Sequence, residues 1–251
     1  MVKNKIQIII LAAGKGTRMK SDIPKALTPF RGKTFLEHIL DTVKKLNPEI
    51  KPIIVVGHKK ELIKEALGKS YIYAEQNEQL GTGHAVMSAR NAIEPQHEIV
   101  IVLSADQPLV SKETLEKIIE KHLEKKPTIT IGTVIVPDFE DWRMGLNHFG
   151  RIIRGSNGLV KKIVEFKDAN NKEKEIKELN PALYAFDANW LWNNIDKLKN
   201  NNTQTEYLLT DLIKIACEQN KKIEALPIVN IIEALQPNCQ EELETLERIV
   251  S

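Results

Sequence analysis

Runs of β-branched apolar residues that alternate with stretches of helical periodicity are the feature that most constrains the fold of this chain. The segments "IQIIIL" (6–11), "PIIVVG" (52–57) and "EIVIVLS" (98–104) are nearly continuous apolar runs, which is typical of strands buried on both faces. After the first run, Phe35, Leu36, Ile39 and Leu40 recur at helical spacing, and Leu115, Ile118 and Ile119 do so after the third. This order predicts a parallel sheet covered by helices on both sides, with ligands bound at the carboxyl ends of the strands.

The pattern changes after Pro127. The run "TITIGTVIV" (128–136) alternates like an antiparallel or edge strand, and "GRIIRGSNGLVKKIVEF" (150–166) predicts a hairpin that turns at 156–158. A strand at "PALYAF" (181–186), helices near 189–198 and 207–219, a strand at "KIEALPIV" (222–229) and a helix over 240–250 follow. We therefore expect an α/β fold: one mixed, mostly parallel sheet with helices on both faces, and a small β-rich lobe in the second half.

Composition limits the partners of the chain. Its 251 residues include 36 Lys plus Arg against 34 Asp plus Glu, and a net charge of +2 gives no general attraction to nucleic acid or to an acidic membrane. The two cysteines, Cys217 and Cys239, form no disulfide framework and favour a reducing, cytoplasmic compartment. We expect both thiols to be buried.

The first residues imitate a signal peptide, since Lys3 and Lys5 precede an apolar run. Gln7 interrupts that run, and cations follow it where a small, neutral cleavage region would be expected, so a buried strand is the better interpretation. No stretch approaches the roughly 18 consecutive apolar residues of a membrane span. We expect no membrane partner.

The loop "LAAGKGTRMKSDIPKAL" (11–27) follows the first predicted strand directly. It matches neither G-x-x-x-x-G-K-[ST] nor the dinucleotide motif G-x-G-x-x-G, in which Met19 would stand at the last glycine. A glycine-rich turn after a buried strand nevertheless exposes backbone N–H groups to an anion, and Arg18 and Lys25 add positive charge. The loop predicts a phosphate site, with a solvated basic loop as the alternative.

The same loop resembles the signature L-A-A-G-x-G-T-R-(x)n-P-K of sugar-1-phosphate nucleotidyltransferases, and further segments resemble the bacterial N-acetylglucosamine-1-phosphate uridylyltransferases. These segments are "EQNEQLGTGHAV" (75–86), "LSADQPLV" (103–110), "FGRIIR" (149–154), "VKKIVEFKDA" (160–169), "ELNPALYAF" (178–186) and "NNNTQTEYLLTDLI" (200–213). The resemblance implies a Rossmann-like nucleotide-diphospho-sugar transferase fold. It also implies a single domain over 1–251, with a nucleotide-binding half at about 1–127 and a sugar-binding half at about 128–251.

The resemblance implies a role for each matching residue. Arg18 and Lys25 would neutralise the α-phosphate, and Asp106, at the end of a buried strand, would complete the catalytic set and hold Mg²⁺. The remaining nucleotide contacts would come from Leu11, Ala12, Ala13, Gly14, Gly16, Gln76, Gly81 and Thr82. A solvated glutamine is the alternative for Gln76, and a helix N-cap is the alternative for Asp106.

The second metal ligand of the family is an asparagine that precedes an L-x(3)-E helix pattern. Asn238 stands at that spacing from Leu243 and Glu247, although an ordinary helix cap is an alternative for Asn238 alone. Gly150, Glu165 and Asn180 match the positions that hold the sugar hydroxyls and the N-acetyl group. An exposed charge on a strand face is the alternative for Glu165.

The implied reaction is in-line attack of a sugar 1-phosphate on the α-phosphorus of a nucleoside triphosphate, with release of pyrophosphate. Such transfers depend on positioning and charge neutralisation rather than on a protein nucleophile. UTP and N-acetylglucosamine 1-phosphate are the favoured pair. The alternatives are another sugar or alditol phosphate, dTTP or CTP, and, from another functional class, a non-catalytic nucleotide-sugar sensor.

Five positions depart from the family pattern. Ser104 and Ala105 replace a tyrosine and a glycine before Asp106, Pro181 and Ala182 stand where the family has threonine or serine and then glycine, and Thr205 stands where glycine is common. These departures leave the sugar and the base open. We found no hexapeptide repeats and expect no acetyltransferase activity; self-association into a homo-oligomer is left open.

Overall fold

The computed structural model describes residues 5–47, 49–94 and 96–250, which form twelve strands and eight α-helices joined by short 3₁₀ turns. The strands are β1 (Ile6–Leu11), β2 (Pro29–Phe30), β3 (Lys33–Thr34), β4 (Ile53–Val56), β5 (Ile72–Glu75), β6 (Ile99–Ser104), β7 (Ile129–Ile135), β8 (Gly150–Arg154), β9 (Val160–Val164), β10 (Glu178–Asn180), β11 (Tyr184–Asp187) and β12 (Ile223–Pro227). The helices are α1 (Phe35–Leu46), α2 (Lys60–Leu67), α3 (Thr82–Ala89), α4 (Lys112–Lys125), α5 (Asn171–Lys174), α6 (Ala188–Asn194), α7 (Asp211–Glu218) and α8 (Gln240–Ile249).

The first half of the chain builds a parallel sheet in the order β5-β4-β1-β6. β1 lies at its centre and pairs in parallel with β4 on one side and β6 on the other. Leu11 lies opposite Ser104, so β1 and β6 end at the same level. The segments that follow these two strands therefore leave the sheet side by side.

The second half continues the same sheet with antiparallel pairs. β11 lies between β6 and β7 and pairs antiparallel with both. β10 pairs antiparallel with the end of β7 on the same side as β11, and β12 pairs in parallel with β7 on its other side. β7 is therefore an interior strand: the antiparallel prediction is confirmed and the edge alternative is wrong. The β8–β9 hairpin pairs through β8 with β10 and forms the predicted lobe.

Helices cover both faces of the sheet because successive side chains of each strand point to opposite sides. Ile8 and Ile10 of β1 are fully buried under α1, α2, α4 and α8, whereas Ile9 is buried against α3, α6 and α7. The predicted α/β class with a mixed sheet and two helical layers is confirmed. Neither the 3₁₀ segment at Asp141–His148 nor the short β2–β3 hairpin was predicted.

The local sequence explains where the helices near the site begin. Thr34 accepts a hydrogen bond from the Glu37 N–H while the Glu37 carboxylate accepts one from the Thr34 N–H, which is a capping box at the start of α1. Ser111 caps α4 in the same way by accepting from the Thr114 N–H at 3.1 Å. Because Ser111 caps this helix, the N-cap alternative for Asp106 is wrong. α7 begins at Asp211, four residues later than predicted.

Two further expectations concern exposure. Cys217 and Cys239 are free thiols that are partly buried, rather than fully buried as expected. None of the described helices combines the length and the apolar character needed to cross a bilayer.

Candidate active site

A cleft of about 520 Å³, here called the loop cleft, opens at the carboxyl ends of β1 and β6. Its walls are the glycine-rich loop that follows β1, the start of α3, and the turn that follows β6. The sequence predicted a ligand site at this edge because parallel strands present their following loops on one side of the sheet. All of the predicted nucleotide-binding residues lie in its lining: Leu11, Ala12, Ala13, Gly14, Gly16, Gln76, Gly81 and Thr82.

The glycine-rich loop is anchored to the sheet at its start. The Ala12 N–H donates to the Val55 carbonyl at 2.9 Å, and the Ala105 N–H donates to the Leu11 carbonyl at 3.0 Å. Gly16 adopts φ +58°, and a Cβ there would lie 2.7 Å from the Cβ of Lys25. Glycine is therefore required at position 16 both by its backbone conformation and by the close passage of Lys25.

A cluster of two cations, a carboxylate and an amide lies on the floor of the loop cleft. The Lys25 ammonium pairs with Oδ2 of Asp106 and donates to Oδ1 of Asn238 at 2.8 Å. Arg18 donates to the same Asn238 oxygen at 2.9 Å. The structure thus brings together four predicted residues from three distant segments of the chain. We call them the floor cluster: Arg18, Lys25, Asp106 and Asn238.

The ionisation of Asp106 follows from these neighbours. Burial by itself raises the pKa of Asp106, but the Lys25 ammonium and the Ser104 hydroxyl outweigh it, so the pKa lies below its ordinary value. Ser104 donates to Oδ1 of Asp106 at 2.6 Å. The serine that departs from the family pattern therefore helps to hold the carboxylate in its charged form.

Asn238 reaches the floor cluster from the segment before α8. Cys239, not Asn238, is the N-cap residue of α8, so the helix-cap alternative for Asn238 is wrong. The Asn238 N–H donates to Glu242 at 2.7 Å, and its side-chain amide donates to the Gln236 carbonyl at 2.7 Å. These bonds turn the Asn238 Oδ1 atom toward Lys25 and Arg18.

The donor set of the floor cluster fits a hard divalent cation. Asp106 Oδ2 and Asn238 Oδ1 both contact one cationic group, the Lys25 ammonium, so the two oxygens converge on a common point. Carboxylate and amide oxygens are suitable Mg²⁺ ligands, and Mg²⁺ usually takes only one or two protein ligands beside phosphate oxygens and water. Within the described part of the chain there is no group of three or more His, Cys, Asp or Glu residues suited to a metal.

The far wall of the loop cleft is built from the segment around Gly81. Gln76 is buried, and its amide nitrogen donates to the Gly81 carbonyl at 3.0 Å and lies 3.1 Å from His84 Nδ1. These bonds exclude the solvated alternative for Gln76. The Thr82 hydroxyl accepts from the Leu209 N–H at 3.0 Å, so Thr82 also anchors the segment that contains Leu209.

A second cleft of about 250 Å³, here called the lobe cleft, adjoins the first and contains the predicted sugar residues Gly150, Glu165 and Asn180. A Cβ at Gly150 would lie 3.0 Å from Ile163 and 3.5 Å from both oxygens of Glu165, so a larger residue there would crowd the carboxylate. Asn180 donates to the Tyr184 hydroxyl at 2.7 Å and accepts from the Ala182 N–H at 3.1 Å. Its side chain is therefore held in one orientation.

Glu165 is partly buried in this cleft beside further carboxylates, which contradicts the alternative of an exposed charge. Burial raises the pKa of Glu165, and Asp168, Asp211 and Glu206 raise it further, while the hydroxyl of Thr210, which donates to Glu165 at 3.0 Å, opposes the shift. A carboxyl group that is reluctant to ionise is suited to hydrogen bonding with hydroxyl or amide groups of a ligand.

The two clefts are continuous because six residues line both: Leu11, Arg18, Thr82, Ser104, Glu206 and Asn238. A ligand that fills one cleft can therefore contact a ligand in the other across the floor cluster. This arrangement is suited to joining two substrates by a reaction at Arg18, Lys25 and Asp106.

A family model described as the MobA-like NTP transferase domain matches residues 8–199 of this chain. The chain belongs to the MobA-like NTP transferase family. The predicted nucleotidyltransferase class is thereby confirmed. Enzymes of this family generally use a divalent metal ion.

Similar curated relatives of this NTP transferase include proteins named bifunctional protein GlmU. The protein from Streptococcus pyogenes serotype M3 is 41% identical over 242 residues, and that from Geobacillus thermodenitrificans is 42% identical over 242 residues. Each alignment covers 96% of this chain and 51% of the relative. The chain thus spans about half the length of the curated relatives it matches.

A similar solved structure is 4-diphosphocytidyl-2C-methyl-D-erythritol synthase from Anaerococcus prevotii. It superimposes with a TM-score of 0.65 at 19% identity, covering 98% of this chain and 97% of that one. At this identity the likeness concerns the fold alone, and it agrees with the predicted nucleotide-diphospho-sugar transferase fold.

Some lining residues of this NTP transferase were not predicted. His148, Tyr184, Glu206 and Gln236 line the lobe cleft. Glu206 lies inside the quoted motif "QTEYLLTD", so its acidic side chain was an available signal. His148 and Gln236 stand in segments without regular strand or α-helix periodicity, and nothing in the sequence distinguished them from surface residues.

Proposed function

We propose that this chain transfers a nucleotidyl group from a nucleoside triphosphate to the phosphate of a sugar 1-phosphate and releases pyrophosphate. UTP and N-acetylglucosamine 1-phosphate are the favoured substrates, and Mg²⁺ is the favoured metal. The observation that carries the proposal is the floor cluster, which lies in the loop cleft and of which Arg18 and Asn238 also line the adjoining lobe cleft. The motifs that resemble uridylyltransferases supply the assignment of the nucleotide to the loop cleft and the sugar to the lobe cleft.

In this proposal Arg18 and Lys25 bind the α-phosphate and stabilise the negative charge that develops as pyrophosphate leaves. Asp106 and Asn238 would hold Mg²⁺, which when bound neutralises phosphate charge. The sugar phosphate attacks from the lobe cleft, so the new bond forms beside Arg18. The reaction requires positioning and charge rather than a nucleophilic side chain.

The free hydrogen-bonding groups near Gln76 support a pyrimidine base. Both known contacts of the Gln76 side chain use its amide nitrogen, and within the described residues its carbonyl oxygen accepts no hydrogen bond. In the same part of the structure the Gly81 N–H makes none either. An acceptor beside a donor complements the N3–H and an adjacent carbonyl of uracil or thymine, and it complements the N4 amino group and N3 of cytosine as well. The choice of uracil therefore follows from the motifs that resemble uridylyltransferases.

The lobe cleft supports a sugar that carries several polar groups. Glu165, Asn180 and the Gly150 backbone face one side of it, and Leu208 faces it as well. A hydrogen-bonding set beside an apolar side chain suits a hexose with an N-acetyl group. Ser104 and Ala182, which depart from the family pattern, line this cleft, and they are the reason to test other sugar and alditol phosphates.

The test is a pyrophosphate-release assay over UTP, dTTP, CTP, ATP and GTP, each crossed with several sugar 1-phosphates, with and without Mg²⁺. We expect UTP with N-acetylglucosamine 1-phosphate to dominate and Asp106→Ala to abolish release. Asp22→Ala removes an exposed carboxylate from the same loop and should release pyrophosphate at the wild-type rate. If another substrate pair dominates, only the proposed reaction class is retained. If the protein binds nucleotide but releases no pyrophosphate with any pair, the result favours the non-catalytic nucleotide-sugar sensor.

A further inference from the structure

The Lys25 ammonium lies between the two oxygens that fit a metal ion. It pairs with Asp106 Oδ2 and donates to Asn238 Oδ1 at 2.8 Å, and both Lys25 and Asp106 are largely shielded, with side-chain exposures of 12% and 18%. A lysine that pairs with one carboxylate at a surface is ordinary. A lysine that joins an aspartate and an asparagine 132 residues further along the chain, in the position that suits a cation, is a more specific arrangement.

We propose that the Lys25 ammonium and the divalent metal ion compete for this position, and that Lys25 leaves it when a nucleotide binds. The inference rests on the proposed function, because the nucleotide supplies the anion to which Lys25 moves. Two cations cannot both contact Asp106 Oδ2 and Asn238 Oδ1 at short range without strong repulsion. Metal binding therefore requires that Lys25 move away from these oxygens.

The glycine-rich loop provides a destination for Lys25. Lys25 passes directly against Gly16, whose left-handed backbone forms the turn that we assign to the nucleotide phosphates. A phosphate held at this turn would attract the ammonium away from Asp106. Asp106 Oδ2, and Asn238 Oδ1 with only its hydrogen bond from Arg18, would then accept the metal. The metal would consequently bind together with the nucleotide and only weakly before it.

The Lys25 ammonium would in this way protect Asp106 between turnovers. Asp106 is partly buried and accepts hydrogen bonds from Lys25 and Ser104, so its charge is balanced in the structure described here. Exchange of one cation for another keeps a positive charge beside the carboxylate throughout. The carboxylate would not have to be neutralised by a proton when the metal leaves.

The experiment measures Mn²⁺ binding without nucleotide by electron paramagnetic resonance at pH 8, where the signal of free Mn²⁺ is lost on binding. Lys25→Met removes the competing charge at nearly constant length, whereas Lys25→Arg retains a cation at the same position. Lys20→Met removes an exposed cation from the same loop that makes no contact with Asp106 or Asn238 and measures the general effect of charge. We expect the Kd for Mn²⁺ to fall by about tenfold or more in Lys25→Met and to change by no more than about threefold in the other two variants.

An unchanged or weaker Mn²⁺ affinity in Lys25→Met would overturn the proposal, and so would an equal gain in Lys20→Met. Should Lys25→Met fail to fold, as thermal unfolding would reveal, the wild-type protein offers a second measurement. The carbon-13 resonance of the Lys25 Cε, assigned by its loss in Lys25→Arg, should shift when Mg²⁺ is added at millimolar concentration, and no shift at saturation would overturn the proposal. Pyrophosphate release by the wild type is measured separately, so failure of the exchange and failure of the proposed function give different results.

Discussion

Replacing Arg151 tests how the lobe is held to the rest of the molecule. The Arg151 side chain is completely buried, although among the described residues it pairs with no carboxylate. Its guanidinium donates to the backbone carbonyls of Asn147 (3.0 Å), Phe149 and Lys174 (3.1 Å) and to the side chain of Asn147 at 2.7 Å. The guanidinium also lies against the rings of Phe139 and Phe166, with centroids 4.9 Å and 5.2 Å away.

The magnitude follows from the acceptors that would lose their donor. In Arg151→Met the thioether can still pack between the two rings, but four acceptor atoms on three residues lose a hydrogen bond. An unsatisfied buried acceptor costs about 1–3 kcal/mol. Water that enters the site, and the removal of a charge that was costly to bury, would offset part of the summed loss of folding free energy. We expect the free energy of unfolding to fall by about 3–4 kcal/mol, a large share of the about 5–15 kcal/mol available to a folded domain.

The assay is urea unfolding, with Arg154→Met as the matched control. Arg154 lies three residues further along the same strand and pairs with Glu178 at 2.6 Å while 37% of its side chain is exposed. Its loss should cost about 1 kcal/mol, less than the loss of Arg151, because the Arg154 half of this bidentate pair is partly exposed to water. If Arg151→Met is no more destabilising than Arg154→Met, the buried hydrogen bonds do not hold the lobe. Because Phe149 and Gly150 line the lobe cleft, Arg151→Met should also raise KM for the sugar phosphate more than KM for the nucleotide.

Three further predictions concern the clefts. Glu165→Gln should stabilise the protein at pH 8. Folding raises the pKa of Glu165, so at intermediate pH the folded state binds a proton that the unfolded chain has released. The free energy of unfolding of the wild type therefore falls as the pH rises above about 4.5. The advantage of this variant in urea unfolding should therefore grow from pH 4 toward pH 8, and equal stabilities at pH 8 would contradict the linkage. Thr205 and Ala182 have left-handed backbone conformations, with φ +56° and +61°, that are strained for residues other than glycine. Thr205→Gly and Ala182→Gly remove this strain and should each raise the free energy of unfolding by about 0.5–1 kcal/mol in the same assay. A decrease would mean that the greater entropy of the unfolded glycine variant dominates. Gln76→Ala should raise KM for UTP at least about tenfold while leaving KM for the sugar phosphate nearly unchanged, because it removes a buried acceptor for the base, and a matching rise in both values would assign Gln76 a structural role instead.

The strands that carry the loop cleft were predictable from the sequence because their apolar runs have few alternatives. β1 and β6 are buried on both faces, and a run such as Ile6–Leu11 cannot lie at a surface without a large cost. Their parallel pairing then places Asp106 beside the glycine-rich loop. Most of the floor cluster followed from these two strands and from the resemblance.

The lobe was harder to predict because its contacts are non-local and polar. Arg151 stands in an alternating strand and has the sequence pattern of a surface residue, and only the folded structure brings Asn147, Lys174 and two phenylalanine rings around it. The edge alternative for β7 was wrong for a related reason. Alternation of Thr130 and Thr133 with apolar residues is typical of an exposed strand, yet both threonines are buried, and Thr130 contacts the buried His122 at 2.9 Å.

The residues that line the two clefts fall into two groups, which differ in how many binding surfaces a substitution would alter. Leu11, Arg18, Thr82, Ser104, Glu206 and Asn238 face both clefts, so a substitution among them alters two binding surfaces at once. Gly150, Glu165, Asn180 and Tyr184 face the lobe cleft and do not line the loop cleft. Under the proposed function, evolution or directed redesign could therefore exchange the acceptor molecule through this second group while Lys25 and Asp106 stay unchanged.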